Sequence, residues 1–255
     1  MFRKMKNPFT GEMMEVFSPP PPDNLPGVML SAARHPLFGY DPRVGCRLGD
    51  PAWLPPDRDW PCGRSGPLGF VGQLDFAQIA NVHGCGDPFP RRGLLGFFYD
   101  AEGCTWGSAR EDASEWALLY VEDPAAAVFR KSPVRAHAAS RRLQATRTNA
   151  LADGRHRVGG EPHWFDEHDM GRDVRYDVQC MLDEISPGEL SLCPNKSAID
   201  SLLKRASSWR VIWQLESDSA AKMSWLDDGT LSVLIREQDL RDRDFDRAWV
   251  VLEST

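Results

Sequence analysis

No stretch of the 255-residue chain approaches the 18 or so consecutive apolar residues of a membrane-spanning helix. The basic start, Met1-Phe2-Arg3-Lys4-Met5-Lys6-Asn7-Pro8, is followed by neither an apolar run of secretory length nor a small-residue cleavage site. A cytoplasmic location away from membranes is therefore expected. The six cysteines, at 46, 62, 85, 104, 180 and 193, form no Cys-x-x-Cys pair, and a chain of this length needs no disulfide scaffold, so they read as reduced thiols. There is no His-Glu-x-x-His, no Gly-x-Ser-x-Gly and no Gly-x-x-x-x-Gly-Lys-Ser/Thr, which removes the helical zinc site, the nucleophile elbow and the phosphate loop. Two groups offer metal-ligating side chains, His83-Gly84-Cys85 and the set His163, Asp166, Glu167, His168, Asp169, but their spacings fit no common zinc pattern. No metal or cofactor is expected. A thiol nucleophile at Cys46 or Cys62 would need a histidine brought close by folding, and burial as a small hydrophobe is the simpler reading. Among 37 acidic residues no pair stands out as a glycosidase dyad.

What is present is a core and many turns. Hydrophobic residues make up 42% of the chain, with nine Trp and twelve Phe, enough for one large or two small domains. Twenty Pro and 21 Gly favour short strands and frequent connections over long helices, so the expected class is β-rich α+β. The net charge of −7 is unevenly placed. From Phe129 to Arg157 there are eight Lys or Arg against the single acid Asp153, whereas from Val158 onward acids outnumber bases. The basic segment lacks interleaved aromatics and the whole is acidic, which argues against direct binding of nucleic acid; a solvated face is the plainer account of the charge run.

The order of the chain repeats itself. Gly49-Asp50-Pro51-Ala52-Trp53 is echoed by Gly160-Glu161-Pro162-His163-Trp164, and Phe70-Val71-Gly72-Gln73-Leu74-Asp75 by Val211-Ile212-Trp213-Gln214-Leu215-Glu216. A glycine-led strand follows each time, Gly93 to Tyr99 and Gly229 to Ile235, and then a third, Trp116 to Glu122 and Trp249 to Glu253. Ordered matches of this kind predict two similar tandem halves of mainly antiparallel sheet, at a spacing too irregular for a solenoid. The boundaries read as a Pro-rich arm over 1–43, a first half over 44–125, a connector over 126–157 that is mobile or partly helical, and a second half over 158–253, the two halves making one domain. Gln73 and Gln214 read as strand-end residues tying adjacent loops. Trp53, Trp60 and Trp164, each beside prolines, read as buried anchors, and Gly160, Pro162 and Trp249 as parts of the repeated pattern.

Helices are expected in two places. Val174, Val178, Met181, Leu182 and Ile185 fall at helical spacing before Ser186-Pro187-Gly188, and Ile199, Leu202, Leu203 and Ala206 lie on one side of a second helix capped by Asn195 or Ser197. Both would cover a sheet face. Phe76-Ala77-Gln78-Ile79 reads as a single helical turn, and Val28 to Ala33 is ambiguous between helix and strand.

Trp53-Leu54-Pro55-Pro56 with Trp60-Pro61, Phe70 to Asp75 and Gly93-Leu94-Leu95-Gly96-Phe97-Phe98 together resemble the YwqG-like family of bacterial proteins. The resemblance continues through His156-Arg157-Val158-Gly159-Gly160-Glu161-Pro162, Gln214-Leu215-Glu216-Ser217-Asp218 and Asp244-Phe245-Asp246-Arg247-Ala248-Trp249, and so covers about residues 44 to 253. It departs at Arg47-Leu48-Gly49-Asp50-Pro51, where a second Gly-Gly-x-Pro would be expected. The family setting implies an immunity protein, an antitoxin that occludes a secreted, basic toxin such as a nuclease effector and has no catalytic residue. Asp166, Glu167 and Asp169, with Asp239, Asp242, Asp244 and Asp246, are the acids expected to meet such a toxin, since complementary charge accelerates encounter. The alternative is a small-molecule-binding protein or enzyme using a cleft between the halves, with Trp164, His163 and Gln214 as its polar groups. A cleft holding buried titratable side chains separates the two.

Overall fold

The computed structural model describes residues 2–6, 13–17, 27–33, 41, 43–82, 85–100, 102–134, 138–148, 156–160, 164, 173–185 and 196–254. Its strands are β1 (Phe2–Lys6), β2 (Met13–Phe17), β3 (Gly27–Ala32), β4 (Arg47–Leu48), β5 (Ala52–Leu54), β6 (Cys62–Gly63), β7 (Gly66–Pro67), β8 (Gly69–Asp75), β9 (Leu94–Tyr99), β10 (Trp116–Val121), β11 (Val128–Arg130), β12 (Arg141–Thr148), β13 (His156–Gly159), β14 (Trp209–Glu216), β15 (Thr230–Arg236) and β16 (Trp249–Glu253). Four short α-helices among the described residues accompany them: α1 (Phe76–Asn81), α2 (Val174–Leu182), α3 (Lys196–Ala206) and α4 (Glu237–Asp242).

Ten strands form one antiparallel sheet in the order β10-β9-β8-β4-β12-β3-β13-β14-β15-β16. The order is symmetric about the β12–β3 pair. Each half contributes a three-strand meander, β8-β9-β10 or β14-β15-β16, flanked by a short strand, β4 or β13, and the first strand of each half crosses to lie against the short strand of the other. The register agrees in detail. Arg47 faces Gln73 and Arg157 faces Gln214, and the meanders carry a bulge at the same place, between Phe70 and Gly72 and between Val211 and Trp213. The two tandem halves therefore share one sheet.

β3 is one of the two central strands. Val28 and Leu30 are fully buried, so Gly27–Ala32, ahead of the expected boundary at 44, is an integral strand of the sheet and not an arm. The expected connector over 126–157 is also corrected: β12 runs through it, pairing six residues with β3 and two with β4. Its period is two. Leu143 and Ala145 are buried while Gln144, Thr146 and Arg147 are exposed, and a search for a helical stripe misses an alternation of this kind. The solvated reading of the basic segment fails at its end, where Arg157 is only 6% exposed.

The sheet curls until its edges nearly meet. Across the gap between β10 and β16, the Trp116 and Trp249 rings stand edge to face at 5.0 Å, and Trp116 Nε1 donates to the Ala248 carbonyl at 3.1 Å. Trp249 Nε1 donates to Gly107 O, and the Leu252 amide to Trp106 O. Indoles and one loop, not a strand ladder, thus close the barrel-like sheet. One core cluster draws residues from both halves. Within it the two expected amphipathic helices pack on the sheet: Val174 and Val178 of α2 and Leu202 of α3 are buried.

Gln73 donates from Nε2 to the carbonyls of Gly45 and Arg43, and Gln214 donates to Ser232 Oγ at 3.0 Å, so Gln73 ties a loop to its strand while Gln214 ties two strands. Trp60 is half-buried, donates to Leu68 O at 2.8 Å and stands edge-on to Phe98. Trp53 and Trp164 are also half-buried against the core and less enclosed than expected. Five cysteines of the described residues, 46, 62, 85, 104 and 180, are free thiols, and burial pushes those of Cys46 and Cys85 up to about 12. No helix among the described residues is long and apolar enough to cross a membrane.

Candidate functional site

Two clefts stand out. The first, of about 450 Å³, lies where the crossed strands meet and is lined by Leu30, Ser31 and Ala32 of β3, Arg141 of β12, His156 of β13, Glu216 at the end of β14 and residues 217–220 after it. Asp218 organises it. Its side chain caps the one-turn 3-10 helix Ser219–Ala221 by accepting from the Ala220 and Ala221 amides at 2.9 and 3.0 Å, which fixes the carboxylate in space. Arg141 Nη1 then reaches both carboxylate oxygens, at 3.2 and 3.1 Å, and His156 Nε2 lies 3.4 Å from Oδ2.

His156 is 5% exposed, and burial holds its pKa below the ordinary value although Asp218 pulls the other way. It is therefore neutral at pH 7, with its proton on the Nε2 that faces Asp218, which leaves Nδ1 a lone-pair acceptor. Nδ1 is buried and has no hydrogen-bond partner. Asp218, despite a burial penalty, is held below the usual carboxylate range by the Ala221 amide and Arg141. The site is a fixed anion, a bridging guanidinium and a neutral imidazole.

The first half differs at the matching position. Cys46 stands immediately before Arg47, as His156 stands before Arg157, and Asp75 caps α1 from the end of β8 much as Asp218 caps its turn. Cys46 is fully buried, its amide donating to Gln78 Oε1 at 2.7 Å, and it belongs to the core. Imidazole in place of thiol makes the second half polar at the same position.

Because the folded state depresses the pKa of His156, the unfolded chain binds the proton more readily, so this group's contribution is complete above about pH 6.5 and is lost as pH falls toward the folded value. Each pKa unit of depression is worth about 1.4 kcal/mol. Urea midpoints measured at about pH 7.5 and 5.5 are expected to fall for the native chain and to fall less for His156→Asn; equal falls would mean that His156 does not titrate in this window.

The second cleft, of about 420 Å³, is apolar. It lies between α2 and β16, lined by Trp106, Gly107, Val174, Val178, Met181, Ile185, Val251 and Leu252 among others, with Asp177 and Ser108 at its polar side. Trp106 is 47% exposed, a large aromatic held in water by a loop that the Leu252 amide pins through its carbonyl. Beside it Arg110 reaches the Leu182 carbonyl and lies 3.5 Å from Glu184.

Of the acids picked from sequence, Asp239, Asp242, Asp244 and Asp246 line neither cleft. Asp244 pairs with Arg247 at 2.8 Å, Asp246 with Arg58 at 3.4 Å, Asp239 lies 3.9 Å from Arg247, and Asp242 accepts from Gln238. Asp166, Glu167 and Asp169, with Pro162 and His163, lie outside the described residues, as do His83, Gly84 and His168 of the metal-ligating groups. Among the described residues no three His, Cys, Asp or Glu side chains gather as a metal site. Gln214 is core, and Gly160 continues from β13 at φ +74°. Sequence reasoning quoted His156 and Asp218 within larger patterns and counted Arg141 as surface charge. Comparing the halves position by position, His-Arg against Cys-Arg, is the signal that would have singled out His156.

No curated protein matches the chain in sequence. The model of one family, described as a domain of unknown function, matches residues 46–253, and the chain belongs to that family, DUF1963.

Proposed function

We propose that the chain is a YwqG-like member of its family and works as an immunity protein, held in the cytoplasm of the producing cell, that binds and occludes a basic toxin without catalysis. One observation carries the reading: Trp106 stands half in water at the mouth of an apolar cleft. Exposed Trp beside a preformed apolar groove is the composition of a binding hot spot, where a few aromatic anchors supply most of the affinity. The setting is acidic. Asp177 lines the cleft, Glu184 stands exposed nearby, and the whole chain carries −7, which suits a partner with a basic rim and an apolar tip. Asp239, Asp242, Asp244 and Asp246, already partnered by Arg or Gln side chains, serve on this reading as steering charges.

The test is co-expression with the toxin encoded beside the gene, scored by survival and by binding of the purified pair. Trp106→Ala is expected to weaken the complex by about 30-fold or more through faster dissociation, as hot-spot losses of about 2 kcal/mol do. Reversing the Asp239–Asp246 charges should slow association at low salt and matter little at high salt. Absence of both protection and complex with the native chain would overturn the reading.

A further inference from the structure

We propose that His156, Asp218 and the turn Ser219–Ala221 form an acid-released clasp: protonation of the buried imidazole opens the turn and frees the 138–140 segment that it holds, while the ten-stranded sheet stays folded. The inference rests on how the turn is fastened. Asp218 Oδ1 accepts the Ala220 and Ala221 amides, the Asp218 backbone exchanges hydrogen bonds with Met223 at 2.8 and 3.0 Å, and the Ala221 carbonyl accepts the Ala139 amide at 2.6 Å. The held segment is itself a packing surface. A Cβ built on Gly49 would stand 2.5 Å from the Ala138 carbonyl oxygen and 2.9 Å from Ser140 N, so the loop that opens the first half lies directly on it. One carboxylate thus ties His156 of β13, Arg141 of β12 and, through its turn, the chain that leads into β12.

A second proton on His156 has no place in this arrangement. Nδ1 is closed off from solvent and has no hydrogen-bond partner, so the imidazolium would carry an N–H there with nothing to receive it, and an unsatisfied buried donor is costliest when charged. Asp218 does not compensate. Arg141 Nη1 already lies on both of its oxygens, at 3.2 and 3.1 Å, so the imidazolium would share one carboxylate with an existing cation. Among the described residues, the charged groups around His156 are Asp218 from the turn, Arg141 from β12 and, lining the same cavity, Glu216 at the end of β14, which has a partner of its own; β3 presents only Leu30, Ser31 and Ala32. Solvating the charged ring therefore requires the turn to move away. Burial holds the closed form's pKa below 6.5, whereas the open form takes the proton at about that value. As pH falls below about 6.5, opening grows by up to about tenfold per pH unit until the closed form's own pKa is reached. The first half supplies the control: Asp75 Oδ1 accepts the Ala77 and Gln78 amides as Asp218 accepts Ala220 and Ala221, but Cys46 stands in the place of His156 with its thiol pushed up to about 12, blind to this range. The clasp is separate from the Trp106 cleft, so it stands or falls independently of toxin binding.

The experiment is amide hydrogen exchange on the native chain, followed by NMR at about pH 7.5, 6.5 and 5.5 and corrected for the intrinsic exchange rate at each pH. Protection of the Ala139, Ala220, Ala221 and Met223 amides is expected to fall about three- to tenfold from the highest pH to the lowest, while that of Ala77 and Gln78 changes by less than about twofold. Low urea should leave exchange at the turn unchanged, because a local opening exposes little surface, and should speed the slowest core amides. His156→Gln, whose side-chain amide can donate to Asp218 at any pH, should remove the pH dependence, with circular dichroism confirming the fold; the comparison of the two caps needs no variant. Protection at the turn that is independent of pH, that changes equally at Ala77 and Gln78, or that still changes in His156→Gln overturns the proposal. So does exchange at the turn that accelerates with urea as steeply as that of the slowest core amides, since the proton would then act on the whole fold and not on the clasp.

Discussion

Replacing Trp213 with Ala is expected to lower stability by about 3–5 kcal/mol, the cost of emptying the site of a large buried aromatic. Trp213 is 1% exposed and lies 6.4 Å, ring to ring, from Phe97. It occupies the second-half position that Gly72 occupies in the first, just past the bulge, and the two are complementary: a Cβ built on Gly72 would stand 2.9 Å from Trp213 Cη2. The indole fills the space that the absent side chain leaves. The same Cβ would stand 2.5 Å from the Arg47 carbonyl, which is backbone of the neighbouring strand and cannot step aside. Gly72→Ala should therefore cost about 1–3 kcal/mol by overpacking, and trimming the indole with Trp213→Phe should recover only part of that cost. Urea unfolding of the two single variants and the double variant closes the cycle. A midpoint for Trp213→Ala within 1 kcal/mol of the native chain's would show that the indole is not packed in the core as described.

That knob and hollow also mark how far a sequence can be read. The meanders were legible, because Phe70 to Asp75 and Val211 to Glu216 combine β-branched and aromatic residues with turn formers at both ends, and such signals are local. The helices over Val174–Leu182 and Lys196–Ala206 were legible for the same reason, through spacing that only a helix brings onto one face. The crossing of β3 and β12 was not. Nothing within Gly27–Ala32 or Arg141–Thr148 says that these strands, more than a hundred residues apart, pair in the middle of one sheet; that is fixed by the burial of Val28, Leu30 and Leu143 against residues contributed by both halves. The polar site was hidden for the same reason. Arg141, His156 and Asp218 sit on three strands or strand ends, 77 residues separating Arg141 from its carboxylate, and each has an ordinary role when read alone. Trp106 was missed because an exposed aromatic leaves no periodic pattern.

Gly107→Ala is expected to cost about 3–5 kcal/mol and to abolish the Trp106 surface together with the seam it closes. Gly107 has φ +71°, a conformation that itself costs a side-chain-bearing residue about 1–3 kcal/mol. A Cβ there would also fall inside the van der Waals surface of the Val250 carbonyl oxygen, part of β16 and unable to yield without opening the edge strand. The loop must then retreat, taking with it two hydrogen bonds that close the sheet, Trp249 Nε1 to Gly107 O and the Leu252 amide to Trp106 O. Each is worth about 0.5–1.5 kcal/mol, and the Trp116–Trp249 edge contact is put at risk with them. Gly86→Ala is the control: no atom lies within 4 Å of the added Cβ, and its midpoint should stay within about 0.5 kcal/mol of native. The comparison separates structure from recognition. Trp106→Ala keeps the backbone carbonyl that pins the loop, so it should lose toxin affinity at a small cost in stability, whereas Gly107→Ala should lose both. If Gly107→Ala unfolds at the native midpoint, the sheet is not closed by this loop, and the rigid mounting of Trp106 on which the occlusion reading depends is wrong.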